Sequence, residues 1–208
     1  MFLETIFIVL IFLFSVILHE VSHGEMAKVL GDPTAEISGR LSLNPIRHLN
    51  LFGSIILPGF LLILKYLSPT KEGIIFGWAK PVPINPYNFK DPKKDSAKVA
   101  IAGPLSNFFL ALFFSILIRV LPSTVFFDKL KEVFALIVWI NLTLALFNLV
   151  PIPPLDGSFL LFAFLPPTFE KVKFFLQSYG PFLLILFLFF GFQYLVILID
   201  FLFRILVG

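Results

Sequence analysis

Apolar residues occur in long runs along this chain, and the charged residues are mostly confined to the segments between them. A helix of about twenty apolar residues is long enough to span the hydrocarbon core of a bilayer. We predict four such spans, at 3–30, 98–121, 133–153 and 181–206. Because the segments between the runs are short, we expect residues 1–208 to form a single integral-membrane domain of the all-α class, without a separate soluble domain.

The basic residues predict how these spans are oriented. Lys28, Arg40 and Arg47 follow the first run, and no basic residue precedes it. Since cytoplasmic loops carry an excess of Lys and Arg, we expect the N-terminus outside and residue 30 in the cytoplasm. The formal net charge of +3 then belongs to membrane-flanking loops. The sequence shows no combined aromatic and basic platform for binding nucleic acid.

A fifth apolar stretch, 49–67, lies between the first two full spans. The loop that contains it must begin and end on the same side of the membrane, yet the stretch is long enough to cross once. Its Pro58-Gly59 break favours a re-entrant hairpin buried against protein. A true span paired with the weaker segment 74–84 is the alternative. Just before it, residues 37–43 alternate apolar and polar side chains, which predicts a small membrane-associated β-element.

The reactive side chains are concentrated at the end of the first run, in the motif His-Glu-Val-Ser-His at 19–23. Helical residues i and i+4 lie on the same face, so His19 and His23 can both reach one Zn²⁺. Glu20 stands beside them, where it can accept a proton from water. The motif begins about 22 Å from the outer end of the helix, inside the hydrocarbon but nearer the cytoplasm. Ionisable residues at such a depth indicate function.

A zinc hydrolase needs a third protein ligand, because its site holds three ligands and leaves one position for water. The chain has no cysteine, so this ligand must be His, Asp or Glu. Asp156 is the best candidate, since the three prolines just before it cannot continue a helix and free the carboxylate to turn toward the metal. His48 is the alternative ligand. Asn148 and Asn107 are polar groups at membrane depth, where they can line a cavity that admits water.

Together these motifs resemble those of the site-2 proteases, a family of intramembrane zinc metalloproteases. The chain is most similar to the short prokaryotic members, which lack a PDZ domain and a regulatory domain. The resemblance extends over nearly the whole chain, and the segments that carry it are 19–23, 31–45, 76–83, 102–107 and 148–157.

The resemblance implies a function and a set of site residues. The implied zinc ligands are His19, His23 and Asp156. The implied catalytic residues are Glu20, which activates water, and Asn148. The region 37–43 would correspond to the family's substrate-binding β-element. The expected reaction is hydrolysis of peptide bonds within transmembrane segments, as in regulated intramembrane proteolysis. The expected partners are transmembrane proteins or peptides and the lipid bilayer, with the active site facing the cytoplasmic side of the plasma membrane. The oligomeric state stays open.

Two other classes of protein are alternatives. A metal transporter would use the same side chains to move the ion, but it would be expected to show an inverted repeat or a polar path across the membrane. The sequence shows neither. A catalytically inactive scaffold is the second alternative. The intact Glu20 argues against a scaffold, which has no need of a base.

Overall fold

The computed structural model describes residues 2–48 and 80–208, and residues 56, 60, 63 and 64 individually. Its α-helices are α1 Phe2–Val29, α2 Thr34–Ile37, α3 Pro92–Val120, α4 Val125–Asn148, α5 Gly157–Phe164, α6 Glu170–Leu186 and α7 Phe192–Val207. Short 3₁₀ turns occur at Pro45–Arg47, Pro86–Asn88 and Pro167–Phe169, and one π-helical turn, Phe187–Gly191, joins α6 to α7.

Four helical segments in the described part of the chain are long and apolar enough to cross a membrane, namely Thr5–Val29, Pro92–Val120, Val125–Asn148 and Pro167–Val207. The all-α class, with four helices that could span a membrane, is therefore confirmed. Helices α3 and α4 begin earlier than the predicted spans because polar residues cap them there. The Asp91 side chain accepts from the Lys94 N–H ahead of α3, and the Thr124 hydroxyl accepts from the Phe127 N–H ahead of α4.

Helix α3 lies at the centre of the described bundle, where it packs against α1, α4, α5 and α7. Without a hydrophobic force between helices in lipid, close packing of small residues and interhelical hydrogen bonds hold a bundle together. The buried face of α3 fits this rule, since it is built largely from Ala97, Ala100, Ala102, Gly103, Ala111 and Ser115. Contacts from Ser15 to Asn107 and from His23 to Val99 show that α1 and α3 run antiparallel.

Apolar packing and one arginine close the end of the bundle that lies opposite the motif at 19–23. A buried cluster joins α3, α4 and α7 through Ala111, Ile118, Val138, Leu142 and Ile199. Arg119 at the end of α3 donates from Nε to the Leu206 carbonyl at 2.8 Å and from Nη2 to the Ile205 carbonyl. These bonds satisfy terminal carbonyls of α7, so the C-terminal ends of α3 and α7 lie on the same side of the bundle.

The β-element predicted at 37–43 is not formed, and none of the described residues belongs to a strand. Helix α2 ends at Ile37, and the backbone then turns at Gly39, whose φ is +63°. Arg47 fixes this turn by donating from Nη1 to the Gly39 carbonyl at 2.7 Å. The alternation of side chains thus belongs to a loop. The hairpin or span predicted at 49–67, apart from residues 56, 60, 63 and 64, and the segment 74–84 up to residue 79 lie outside the described residues.

Residues 80–88 form a strap that lies along the C-terminal half of α1, and Asp32 anchors it. The buried Asp32 carboxylate accepts hydrogen bonds from the Asn85 N–H and the Asn88 side-chain amide, each at 2.7 Å. It also accepts from the backbone N–H and the hydroxyl of Thr34. Burial by itself would raise the pKa of Asp32, but these hydrogen bonds outweigh it and hold the pKa below its ordinary value.

We expect Asp32→Asn to lower the free energy of unfolding by about 1–3 kcal/mol, because an amide cannot accept at both carboxylate positions. The folded-state pKa of Asp32 is depressed, so its contribution is present above the ordinary Asp pKa of about 4 and is lost as the pH falls through the folded-state value. The variant should lack that pH dependence. The measurement is unfolding in detergent at neutral and acidic pH.

The control for this experiment is Glu36→Gln. Glu36 is a half-exposed acid of the neighbouring α2, and its carboxylate forms an ion pair with Lys28. An exposed pair of this kind contributes little to stability. Equal stability of the two variants at neutral pH would contradict the anchoring role of Asp32.

Candidate metal centre

Two side chains of α1 and one from the segment between α4 and α5 converge inside the bundle. The Asp156 Oδ2 lies 3.0 Å from the His19 Nε2 and 3.2 Å from the His23 Nε2, and the two Nε2 atoms are 3.0 Å apart. Both histidines are buried and Asp156 is half-buried. Over residues 2–48 and 80–208, this is the one cluster of three His, Cys, Asp or Glu side chains with ligand atoms close enough to share a metal ion.

The local sequence accounts for this convergence. His19 and His23 are one turn apart on α1, which places their rings on the same face. Helix α4 ends at Asn148, and the proline-containing segment that follows is irregular up to Asp156 at the start of α5. Gly157 lets the chain fold back closely there, because a Cβ at this position would lie 2.1 Å from the Leu149 carbonyl oxygen.

The residues present fit a zinc ion. Two imidazoles and one carboxylate are a ligand set that zinc hydrolases use. Both outer ring nitrogens have acceptors, since the His19 Nδ1 lies 2.6 Å from the Asn107 Oδ1 and the His23 Nδ1 lies 2.7 Å from the Val99 carbonyl. Such partners direct the Nε2 lone pair of a histidine toward a metal. Gly103 leaves the space beside both nitrogens clear, because a Cβ there would lie 2.5–2.6 Å from them.

Glu20 lies under the strap, half-buried. Its Oε2 accepts a hydrogen bond from the Val82 N–H at 2.8 Å. Val82 lies between two prolines, which have no N–H, so it carries the single backbone donor of that triplet. The strap can lie this close because the next turn of α1 presents Gly24, where a Cβ would lie 2.9 Å from the Val82 Cγ1. The other carboxylate oxygen of Glu20 has no hydrogen bond to a described residue.

The remaining candidate residues are placed outside the cluster. Asn148 ends α4 and donates from Nδ2 to the Leu144 carbonyl at 2.9 Å. His48 is buried against its own loop, with its Nε2 2.7 Å from the Ser42 carbonyl, and it is not part of the metal cluster. The structure therefore brings Asp156, and not His48, to the two motif histidines. Asn107, expected to line a cavity, instead contacts His19 directly.

Sequence reasoning missed several residues that contact the site. Asn141 and Ser15 bond to Asn107 from α4 and α1. Asn141 lies two turns before Asn148 in an otherwise apolar run, a signal that could have identified it. The clearance that Gly103 gives the two imidazoles depends on a contact between α1 and α3, which the sequence does not reveal. The bond from Val82 to Glu20 joins positions 62 residues apart and has no local signature.

Comparison with known proteins identifies the family. The model of Peptidase family M50 matches residues 7–133 and 123–188, most of the chain. The chain belongs to peptidase family M50. This is the site-2 protease family, in agreement with the motifs and with the converging His19, His23 and Asp156.

Individual relatives agree with this assignment. A Bacillus subtilis protein named "Putative zinc metalloprotease YwhC" is 36% identical over 180 residues, which cover 84% of this chain and 76% of that protein. The Mycolicibacterium smegmatis protein named "Putative zinc metalloprotease Rip2" is 30% identical over 151 residues, which cover 70% of this chain and 52% of that protein. The Methanocaldococcus jannaschii protein named "Putative zinc metalloprotease MJ0611" is 35% identical over 94 residues, which cover 41% of this chain and 44% of that protein. No solved structure matches the chain. This M50 peptidase is a zinc metalloendopeptidase of the membrane.

We expect Gly103→Ala to weaken zinc binding by about tenfold or more, because the added methyl group must displace both Nε2 atoms. Ala favours a helix over Gly by about 1 kcal/mol, so α3 itself should not be destabilised by the change. The measurement is the zinc Kd of the purified M50 protein by competition with a chelator. Ser115→Ala, an equally small change on the same helix away from the site, is the control, and equal Kd values for the two variants would count against the fit.

Proposed function

We propose that the protein hydrolyses peptide bonds within transmembrane segments of membrane proteins, with zinc held by His19, His23 and Asp156. The observation that carries this proposal is the convergence of these three side chains at 3.0–3.2 Å, two of them on a helix long and apolar enough to cross a bilayer. A metal site of this kind inside a membrane peptidase points to substrates that also lie in the membrane.

In the proposed mechanism Glu20 is the general base. Bound zinc supplies Lewis-acid chemistry, in that it polarises a carbonyl group and makes a water molecule more acidic. Glu20 accepts the proton that the attacking water loses, and it then delivers this proton to the amine that leaves as the peptide bond breaks. The Val82 N–H holds one carboxylate oxygen in place at 2.8 Å, so the other oxygen is the one that takes up the proton.

Asn148 is the proposed hydrogen-bond donor to the oxygen of the scissile carbonyl. One N–H of its side-chain amide is directed to the Leu144 carbonyl, and an Asn amide has two such donors. The second N–H is therefore available to a substrate. A donor aimed at the developing negative charge lowers the barrier more than it strengthens substrate binding.

We place the site toward the cytoplasmic side of the plasma membrane, with the N-terminus outside. Three features support this placement: the motif lies in the second half of α1, Lys28 follows it, and the lysines at 90–98 lie at the N-terminal end of the antiparallel α3. Water can then enter from the cytoplasm. The substrate helix must unwind near that side to expose its carbonyls, as expected for regulated intramembrane proteolysis.

We expect Glu20→Gln to bind zinc like the wild type but to lose cleavage by about 100-fold or more, because the amide cannot accept a proton. His19→Ala and Asp156→Ala should lose both zinc and cleavage. The measurement is cleavage of a panel of tagged transmembrane substrates by purified protein in detergent, with zinc content determined in parallel.

Two controls accompany this experiment. Glu25→Gln changes an exposed acid farther along α1 and should leave cleavage unchanged, and a chelator should abolish cleavage by the wild type. Cleavage by Glu20→Gln at the wild-type rate would refute the assigned base. A zinc-loaded wild type that cleaves soluble peptides but no transmembrane substrate would refute the substrate class.

We expect Asn148→Ala to lower kcat by about 10²-fold with zinc affinity unchanged, which is the effect of removing one donor to a developing oxyanion. The measurement is kcat and KM on a cleaved transmembrane peptide. Thr143→Ala is the control on the same helix, because the Thr143 hydroxyl likewise donates to a carbonyl one turn back. A rise in KM with kcat unchanged would show that Asn148 binds substrate without acting on the transition state.

A further inference from the structure

The two motif histidines differ in what holds their outer nitrogens. The His23 Nδ1 faces a backbone carbonyl, that of Val99, which can only accept a hydrogen bond. This partner alone fixes the proton on Nδ1 and leaves Nε2 free for a metal. The His19 Nδ1 faces the side-chain amide of Asn107 at 2.6 Å. An amide presents an acceptor on one side and donors on the other, so its orientation decides which nitrogen of His19 carries the proton.

Hydrogen bonds to α1 and α4 fix the orientation of the Asn107 amide. Its Nδ2 lies 3.1 Å from the backbone carbonyl of Ser15 and 2.8 Å from the Oδ1 of Asn141. Both partners accept, so the NH₂ group must face them and the Oδ1 must face His19. The flipped amide would donate to the His19 Nδ1 instead, and the ring proton would then move to Nε2, where it blocks a metal.

Asn141 is itself held in one orientation. Its Nδ2 lies 2.9 Å from the carbonyl of Ile137, which can only accept, and 2.9 Å from the Ser15 hydroxyl. Its Oδ1 is therefore directed at Asn107. Asn141 and Asn107 are fully buried and Ser15 is nearly so, in a part of the bundle where an unpaired polar group is costly.

Interhelical hydrogen bonds of this sort can simply hold helices together in a membrane. This network does more than join helices, because each group donates to the next in one direction, from the His19 Nδ1 through the two amides to the Ile137 carbonyl of α4. A network that served only to hold the helices together would not need to include the His19 Nδ1.

We propose that Asn141 is a positioning residue for zinc: through Asn107 it keeps the proton on the His19 Nδ1 and directs the Nε2 lone pair at the metal. The inference rests on the proposed role of His19 as a ligand. It predicts that Asn141, which does not touch the metal cluster, affects zinc affinity and that it does so only while Asn107 is present.

The experiment measures the zinc Kd of the full-length protein in detergent by competition with a chelator. The variants are Asn107→Leu, Asn141→Leu and the double variant, in which Leu keeps the volume but removes the hydrogen bonds. We expect Asn107→Leu to raise the Kd by about 10- to 100-fold and Asn141→Leu by about 3- to 10-fold. The double variant should match Asn107→Leu. Ser115→Ala, which removes a buried hydroxyl that donates to the Leu112 carbonyl of its own helix, should bind zinc like the wild type.

Three results would overturn the inference. The first is an unchanged Kd for Asn141→Leu. The second is a loss from Asn141→Leu that is equally large in the Asn107→Leu background, since Asn141 would then act by packing alone. The third is a loss of stability in the metal-free Asn141→Leu protein that accounts for the whole change in Kd. If Asn141→Leu does not fold, Asn141→Ser, which is too short to reach Asn107, takes its place with the same expected rise in Kd.

The wild type and His19→Ala separate this inference from the proposed function. A wild type that binds no zinc, or a His19→Ala variant that binds it equally well, refutes the metal site itself. Normal zinc binding by the wild type together with normal binding by Asn141→Leu refutes only the role of Asn141.

Discussion

The close contact between α1 and α3 is the constraint on which the metal centre depends. Gly103 brings the backbone of α3 against both imidazoles, so closely that a single methyl group there would overlap their Nε2 atoms. At this distance α3 can supply both outer partners, the Val99 carbonyl for His23 and the Asn107 amide for His19. One helix pair thus provides the rings, the clearance for an ion and the bonds that orient the rings. Because lipid gives no hydrophobic drive for helices to associate, these same bonds also help to hold the pair together.

The third side chain of the cluster comes from backbone that is not helical, and such backbone is stable in a membrane only where protein covers it. The long C-terminal helical segment provides part of that cover. Gly180 of α6 packs so tightly on the irregular segment that a Cβ there would lie 2.4 Å from the Pro153 carbonyl oxygen. On the other side, Gly157 allows the chain to pass over the end of α4. Two glycines outside the metal cluster therefore hold the position of Asp156.

The features that sequence could predict are those that depend on residues close together in the chain. The four spans follow from hydropathy, the pairing of His19 with His23 follows from the helical repeat, and the exit of Asp156 from the helix follows from the prolines before it. The failed prediction at 37–43 has a physical reason. Alternation over seven residues is typical of a strand, but the backbone here turns at Gly39, and Arg47 donates a hydrogen bond that holds this turn. The partners of Asn107 lie 92 and 34 residues away, so no local pattern could reveal which groups its amide contacts.

The strap links the proposed general base to the loop that follows α1. Val82 donates to Glu20, and three residues later the Asn85 N–H donates to Asp32, just beyond the C-terminal end of α1. Lys80, ahead of both, donates to the His48 carbonyl. Three backbone N–H groups of the strap thus donate hydrogen bonds that fix it to the rest of the protein. The prolines on either side of Val82 also restrict the backbone conformation between them. One short segment of backbone therefore carries the hydrogen-bond donors to both the Glu20 carboxylate and the Asp32 carboxylate.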